Sequence, residues 1–119
     1  MRNHEILAVY GTDYKEMTKK ILQEAVLEER IPSKKSRIGI KPNLVSPSEA
    51  SWGATTHPEI VAGIIEYLQE RGFCNLVMLE GSWVGDKTGD AVEVCGYGRL
   101  SKKYGVEFLD MQKDTSVAC

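Results

Sequence analysis

Apolar and polar positions along this chain sort into short continuous apolar runs, separated by longer stretches with three- and four-residue periodicity. The first run, Ile6-Leu7-Ala8-Val9-Tyr10, ends at Gly11-Thr12-Asp13 and reads as a buried strand leading into a helix start. Over residues 14–29, Met17, Ile21, Leu22, Ala25 and Val26 fall on one helical face, while Lys15, Lys19, Lys20, Glu24 and Glu28 are left for water. Pro32 and Ser33 close that unit. Residues 37–41 read as a second strand, stopped by Pro42, which has no N–H to give to a ladder.

A connection over residues 43–57 follows, long enough to suggest a functional or a disordered loop. Thr56-His57-Pro58-Glu59 fits a Thr-x-x-Glu capping box with proline in the first turn. Val61, Ile64, Ile65 and Leu68 form the stripe of the next helix, which Arg71-Gly72 closes. Leu76-Val77-Met78-Leu79 is a third strand and opens into Glu80-Gly81-Ser82-Trp83-Val84-Gly85-Asp86. Two shorter helical stretches, residues 88–94 and about 99–104, precede a fourth strand at 106–110. The resulting βαβαβαβ order predicts an α/β fold: a three-layer sandwich around a mostly parallel four-stranded sheet with Rossmann-like order. One domain is expected over residues 1–112, with an irregular tail at 113–119.

Composition narrows the function classes. The chain has 119 residues, of which 42% are apolar and 27% charged, the balance of a soluble globular protein rather than a disordered or fibrous one. A formal net charge of -2 argues against bulk attraction to nucleic acid or anionic lipid. No apolar run approaches the ~20 residues of a membrane helix, and the run after Glu5 is too short for a secretory signal core. Cys74, Cys95 and Cys119 lack metal-site or redox-motif spacing, so reduced thiols in a cytoplasmic protein are expected.

In open α/β sheets ligands bind beyond the carboxyl ends of the strands, where loops and helix N-termini converge. That edge would carry Gly11-Thr12-Asp13, Lys41-Pro42-Asn43, Glu80-Gly81-Ser82 and Asp110, with Trp52 and Trp83 in its loops. Lys41 follows a buried strand and precedes a rigid Pro-Asn turn, a placement suited to meeting an anion. His57 lies at a helix start, where the positive dipole end disfavours protonation and leaves an imidazole able to act as base, ligand or donor. Glu80 and Asp86 suit a cation or a hydroxyl-bearing ligand.

Two look-alikes fail. Residues 81–88 follow a strand and precede a helix, but three residues separate the glycines and Asp86 stands before Lys87, so the loop is not a Walker A motif. Gly96-Tyr97-Gly98 lacks the strand-to-helix context of a dinucleotide fingerprint and reads as a helix break. Having only His4 and His57 argues against a polyhistidine metal site within one chain, and the basic residues Lys34, Lys35, Arg37 and Lys41 lack interleaved aromatics for nucleic acid.

Lys41-Pro42-Asn43-Leu44-Val45, Ala54-Thr55-Thr56-His57-Pro58-Glu59-Ile60-Val61 and Glu80-Gly81-Ser82-Trp83-Val84-Gly85-Asp86 together resemble the family called domain of unknown function 362, over about residues 5–112. The resemblance implies an N-terminal portion of a longer architecture, with any site shared between halves incomplete. Many relatives are described as iron–sulfur proteins because a ferredoxin-like module is attached. No iron–sulfur cluster is expected in this chain, since its three cysteines are not closely spaced. A more distant likeness is to the N-terminal domain of nickel-dependent lactate racemase, whose histidine-rich motifs are missing here.

Two functions follow as expectations. In the first, a small anionic molecule or nucleotide binds among Lys41, Asn43, Thr56, His57, Glu80, Ser82 and Asp86, with Lys41, His57 and Glu80 as the catalytic candidates. In the second, the chain is a non-catalytic scaffold, forming a homo-oligomer or packing on a second domain or a ferredoxin-type redox partner, with Trp52 and Trp83 as anchors.

Overall fold

The computed structural model describes residues 4–43, 56–80 and 96–110. Among them lie three α-helices, α1 (Tyr14–Ala25), α2 (Pro58–Glu70) and α3 (Tyr97–Tyr104), and three strands, β1 (Ile38–Ile40), β2 (Leu76–Glu80) and β3 (Glu107–Asp110). The strands form one parallel sheet in the order β1-β2-β3, with Val77, Met78, Leu79 and Glu80 in register with Glu107, Phe108, Leu109 and Asp110. Contacts gather the chain into two compact units, Met1–Ile38 with Glu59–Leu76, and Gly39–Pro58 with Val77–Cys119.

In the first unit, α1 starts where Asp13 caps it, its Oδ1 accepting the Glu16 N–H at 3.1 Å. The helix ends at Ala25, earlier than the apolar stripe suggested, because Val26 turns into the left-handed region (φ 50°, ψ 54°) and residues 27–30 wind into a 3-10 turn. That turn carries the Glu28 carboxylate to the Tyr67 hydroxyl and to within 3.6 Å of the Arg71 guanidinium. Arg71 also lies over the Tyr67 ring, 3.6 Å from its centroid.

Helix α2 buries Val61, Ala62, Ile65, Tyr67 and Leu68, so its apolar face is wider than a single stripe. Gly63 lets α1 approach: a Cβ there would stand 2.7 Å from the Lys15 carbonyl oxygen. Ion pairs span the two helices, Lys15–Glu66 at 3.1 Å, Lys19–Glu66 at 3.4 Å and Lys19–Glu70 at 2.7 Å. As anticipated from Arg71-Gly72, the helix stops in a paired-bond turn. The Phe73 and Gly72 N–H groups return to Leu68 and Gln69 carbonyls, and Gly72 adopts φ +88°.

Residues 6–10 do not form the expected strand, so the described residues hold three strands instead of the expected four, a mixed α/β fold without the Rossmann-like order. Leu7 and Val9 lean, half-buried, beside α1 and border a groove of about 220 Å³ with Lys20, Ile21 and Glu24. Ile6 and Tyr10, on the alternate side, are each 92% exposed. An apolar run supplies the burial tendency of a strand, but a strand exists only where a neighbour completes its ladder.

In the second unit, Met78 and Tyr97 are fully buried, with Val77, Val106, Ile40 and Leu100 nearly so. Helix α3 starts at Tyr97, two residues before the expected start, so Gly98 lies inside it instead of interrupting it. Left-handed glycines flank it, Gly96 at φ 81° and Gly105 at φ 66°. The helical stretch expected at 88–94, both tryptophans and the 113–119 tail lie outside the described residues.

Candidate functional site

Strand β1 delivers its carboxyl end at Ile40, which is buried; Lys41 then emerges exposed, Pro42 turns inward and is buried, and Asn43 is exposed. Proline here both ends the ladder and anchors the turn, so the residues on either side face outward. Asn43 and Thr56 then grip each other. The Asn43 N–H donates to Thr56 Oγ1 at 2.9 Å, and the Thr56 N–H donates to the Asn43 carbonyl at 2.9 Å. Residues thirteen apart in sequence are thereby joined.

His57, half-buried, directly precedes Pro58, the first residue of α2. The helix thus opens one position later than a capping box headed by Thr56 requires. Thr56 spends its hydroxyl on Asn43, and Pro58 occupies the first helical position, where a missing N–H costs nothing. The Thr56 carbonyl receives the Tyr97 hydroxyl at 2.8 Å.

Of the residues the sequence nominated, Asn43 and Thr56 are in direct contact, and Lys41 and His57 flank them. Glu80 is the last residue of β2, in register with Asp110 of β3 at the same carboxyl edge of the sheet. Ser82 and Asp86 lie outside the described residues. Sequence reasoning missed Tyr97, although its spacing of three from Leu100, also buried, was a usable sign of a helix face.

Among the described residues, the ionisations that depart from their ordinary values belong to the first unit's clusters. Glu28 is lowered, chiefly because the Tyr67 hydroxyl donates to it, and Tyr67 is raised by burial and then by Glu28. Lys19 is raised, first by its hydrogen bond to Glu70. These ties join α1 and the 3-10 turn after it to α2, the structural kind of perturbation rather than a mark of chemistry. Among the described residues no group of three or more His, Cys, Asp or Glu side chains could hold a metal ion, and Cys74 is an exposed free thiol. No helix among them is long and apolar enough to cross a membrane.

A model of the family described as Domain of unknown function (DUF362) matches residues 38–119. The match starts at the first residue of β1, later than the extent over which the motifs suggested a resemblance, and it contains all three motifs. No curated protein and no solved structure matches the chain.

Proposed function

The chain belongs to the DUF362 family, and on that footing we propose that it binds a small anionic molecule or nucleotide at the carboxyl edge of its sheet. The observation that carries this reading is the reciprocal Asn43–Thr56 pair, which sets the residues after β1 against those opening α2. In this reading Lys41 neutralises the ligand and the His57 N–H, just ahead of α2, contributes a backbone donor. Asn43 and Thr56 hold these elements in register. Glu80, with Ser82 and Asp86 from the same motif, orients a hydroxyl or a cation.

The test is thermal unfolding and calorimetric titration of the whole chain with inorganic pyrophosphate and with ADP. Ligand at a hundred times its Kd stabilises by about 2.7 kcal/mol, so binding shows as a clear rise in Tm. Lys41→Ala removes that rise while moving the unliganded Tm little, and Arg99→Ala leaves it intact. Arg99 and Lys102, with Gly96 and Gly98, line a separate groove of about 250 Å³. Loss of binding in Arg99→Ala but not in Lys41→Ala would place the anion in that groove and refute the assignment.

A second reading, a scaffold that docks on a partner, is favoured by the exposure of Ile6 and Tyr10. It predicts dye binding to apolar surface or self-association, both lost in Ile6→Ser/Tyr10→Ser. A monomer that binds no such dye counts against it.

A further inference from the structure

We propose that Tyr97 is a positioning residue of the anion site, its hydroxyl clamping the peptide that joins Thr56 to His57. The inference rests on the reading above and extends it to a residue outside the three motifs. Tyr97 is fully buried at the first position of α3, and its hydroxyl donates to the Thr56 carbonyl at 2.8 Å across forty-one residues of sequence. Its ring is steadied by Phe108 of β3, with centroids 6.2 Å apart and planes at 58°.

The accepted carbonyl and the His57 N–H belong to one planar peptide unit. Fixing that carbonyl fixes the plane of the peptide, and so the direction of the His57 N–H within it. The Thr56 N–H and hydroxyl are already tied to Asn43. Tyr97 therefore supplies the third tie on the same residue. A continuous set of contacts then runs from Phe108 in β3 through Tyr97 and Thr56 to Asn43, two residues from Lys41. Packing alone would be served by phenylalanine, so the hydroxyl is the atom with the positioning role.

The experiment compares Tyr97→Phe with Phe108→Leu, which loosens the same ring but leaves the hydroxyl. The readouts are Tm, the amide chemical shift and hydrogen-exchange rate of the His57 N–H with the His4 amide as internal reference, and calorimetric titration with pyrophosphate. Tyr97→Phe is expected to move the His57 amide shift and speed its exchange while leaving the His4 amide in place, and to weaken pyrophosphate by about two- to tenfold, the worth of one hydrogen bond. Phe108→Leu is expected to lower Tm without either change.

A wild-type His57 amide shift and exchange rate in Tyr97→Phe, or equal changes in both variants, overturns the proposal. If the wild type binds no pyrophosphate, the anion reading fails, and the His57 amide still decides the role of Tyr97.

Discussion

Gly63 offers the sharpest test of how the first unit is held together. In Gly63→Ala the new methyl would stand 2.7 Å from the Lys15 carbonyl oxygen and 2.8 Å from Thr18 Cβ, whereas ordinary contacts begin near 3.4 Å. The obstacle is helix backbone, so relief requires α1 to retreat by about 0.7 Å as a body. That retreat stretches the Lys15–Glu66, Lys19–Glu66 and Lys19–Glu70 pairs. Overpacking of this kind costs about 1–3 kcal/mol, and a fixed backbone obstacle argues for the upper end. Alanine recovers about 1 kcal/mol of helix preference over glycine, leaving a net loss of about 2 kcal/mol. For a domain of this size, that lowers Tm by roughly 8–12 °C. Gly98→Ala is the matched control, because Gly98 lies in α3 with nothing within 4 Å of the added methyl. It keeps the propensity gain without the clash and raises Tm by a few degrees. Differential scanning calorimetry on both variants settles the matter, and a Gly63→Ala protein melting at or above wild type would refute the close-approach argument.

Other outcomes follow from local strain and ionisation. Val26 is β-branched yet left-handed, at a cost of about 1–2 kcal/mol. Val26→Gly, which removes that strain and forgoes a half-buried side chain, raises the urea midpoint by the equivalent of about 0.5 kcal/mol, and a lower midpoint would show that the side chain outweighs the strain. Glu28 sits below its ordinary value of 4.5 because Tyr67 donates to it, so its contribution is present above that value and lost as pH falls through the lower folded one. Tyr67 is raised above 10.0 by burial and by Glu28, so its contribution is present below that value and lost as pH climbs through the higher folded one. Tyr67→Phe should therefore flatten both limbs of a stability–pH profile measured by urea unfolding, and unchanged limbs would exclude the Glu28–Tyr67 pair as their source.

The elements that were legible carry their own punctuation. Asp13 marks the start of α1, Arg71-Gly72 marks the end of α2, and Pro42 ends the first ladder, each by a mechanism confined to a few neighbouring residues. The misread elements depend on partners far along the chain. Periodicity through Val26 promised a longer α1, but the turn at that residue brings Glu28 to Tyr67, thirty-nine residues away. Residues 6–10 have the composition of a strand, yet composition carries no information about whether an adjacent strand is there to pair with. Tyr97 stands between two glycines and so resembled a helix break. Its burial is decided by Phe108, on an element that local patterning does not connect to it.

The sheet edge that carries the proposed site was legible for a different reason, since topology alone sends the ends of parallel strands to one edge. Topology does not hold those ends together. Joining residues thirteen apart costs about 2 kcal/mol in chain entropy. The two Asn43–Thr56 hydrogen bonds return about 1–3 kcal/mol between them. The closure is therefore close to balanced on these bonds alone, and further contacts beside the two joined residues add to it. Buried Pro42 grips one side and the Tyr97 hydroxyl the other. A motif can thus mark the places of Lys41 and His57 in the sequence, while in the proposed reading their geometry depends on a tyrosine forty residues downstream of His57, in a helix that contributes no motif residue.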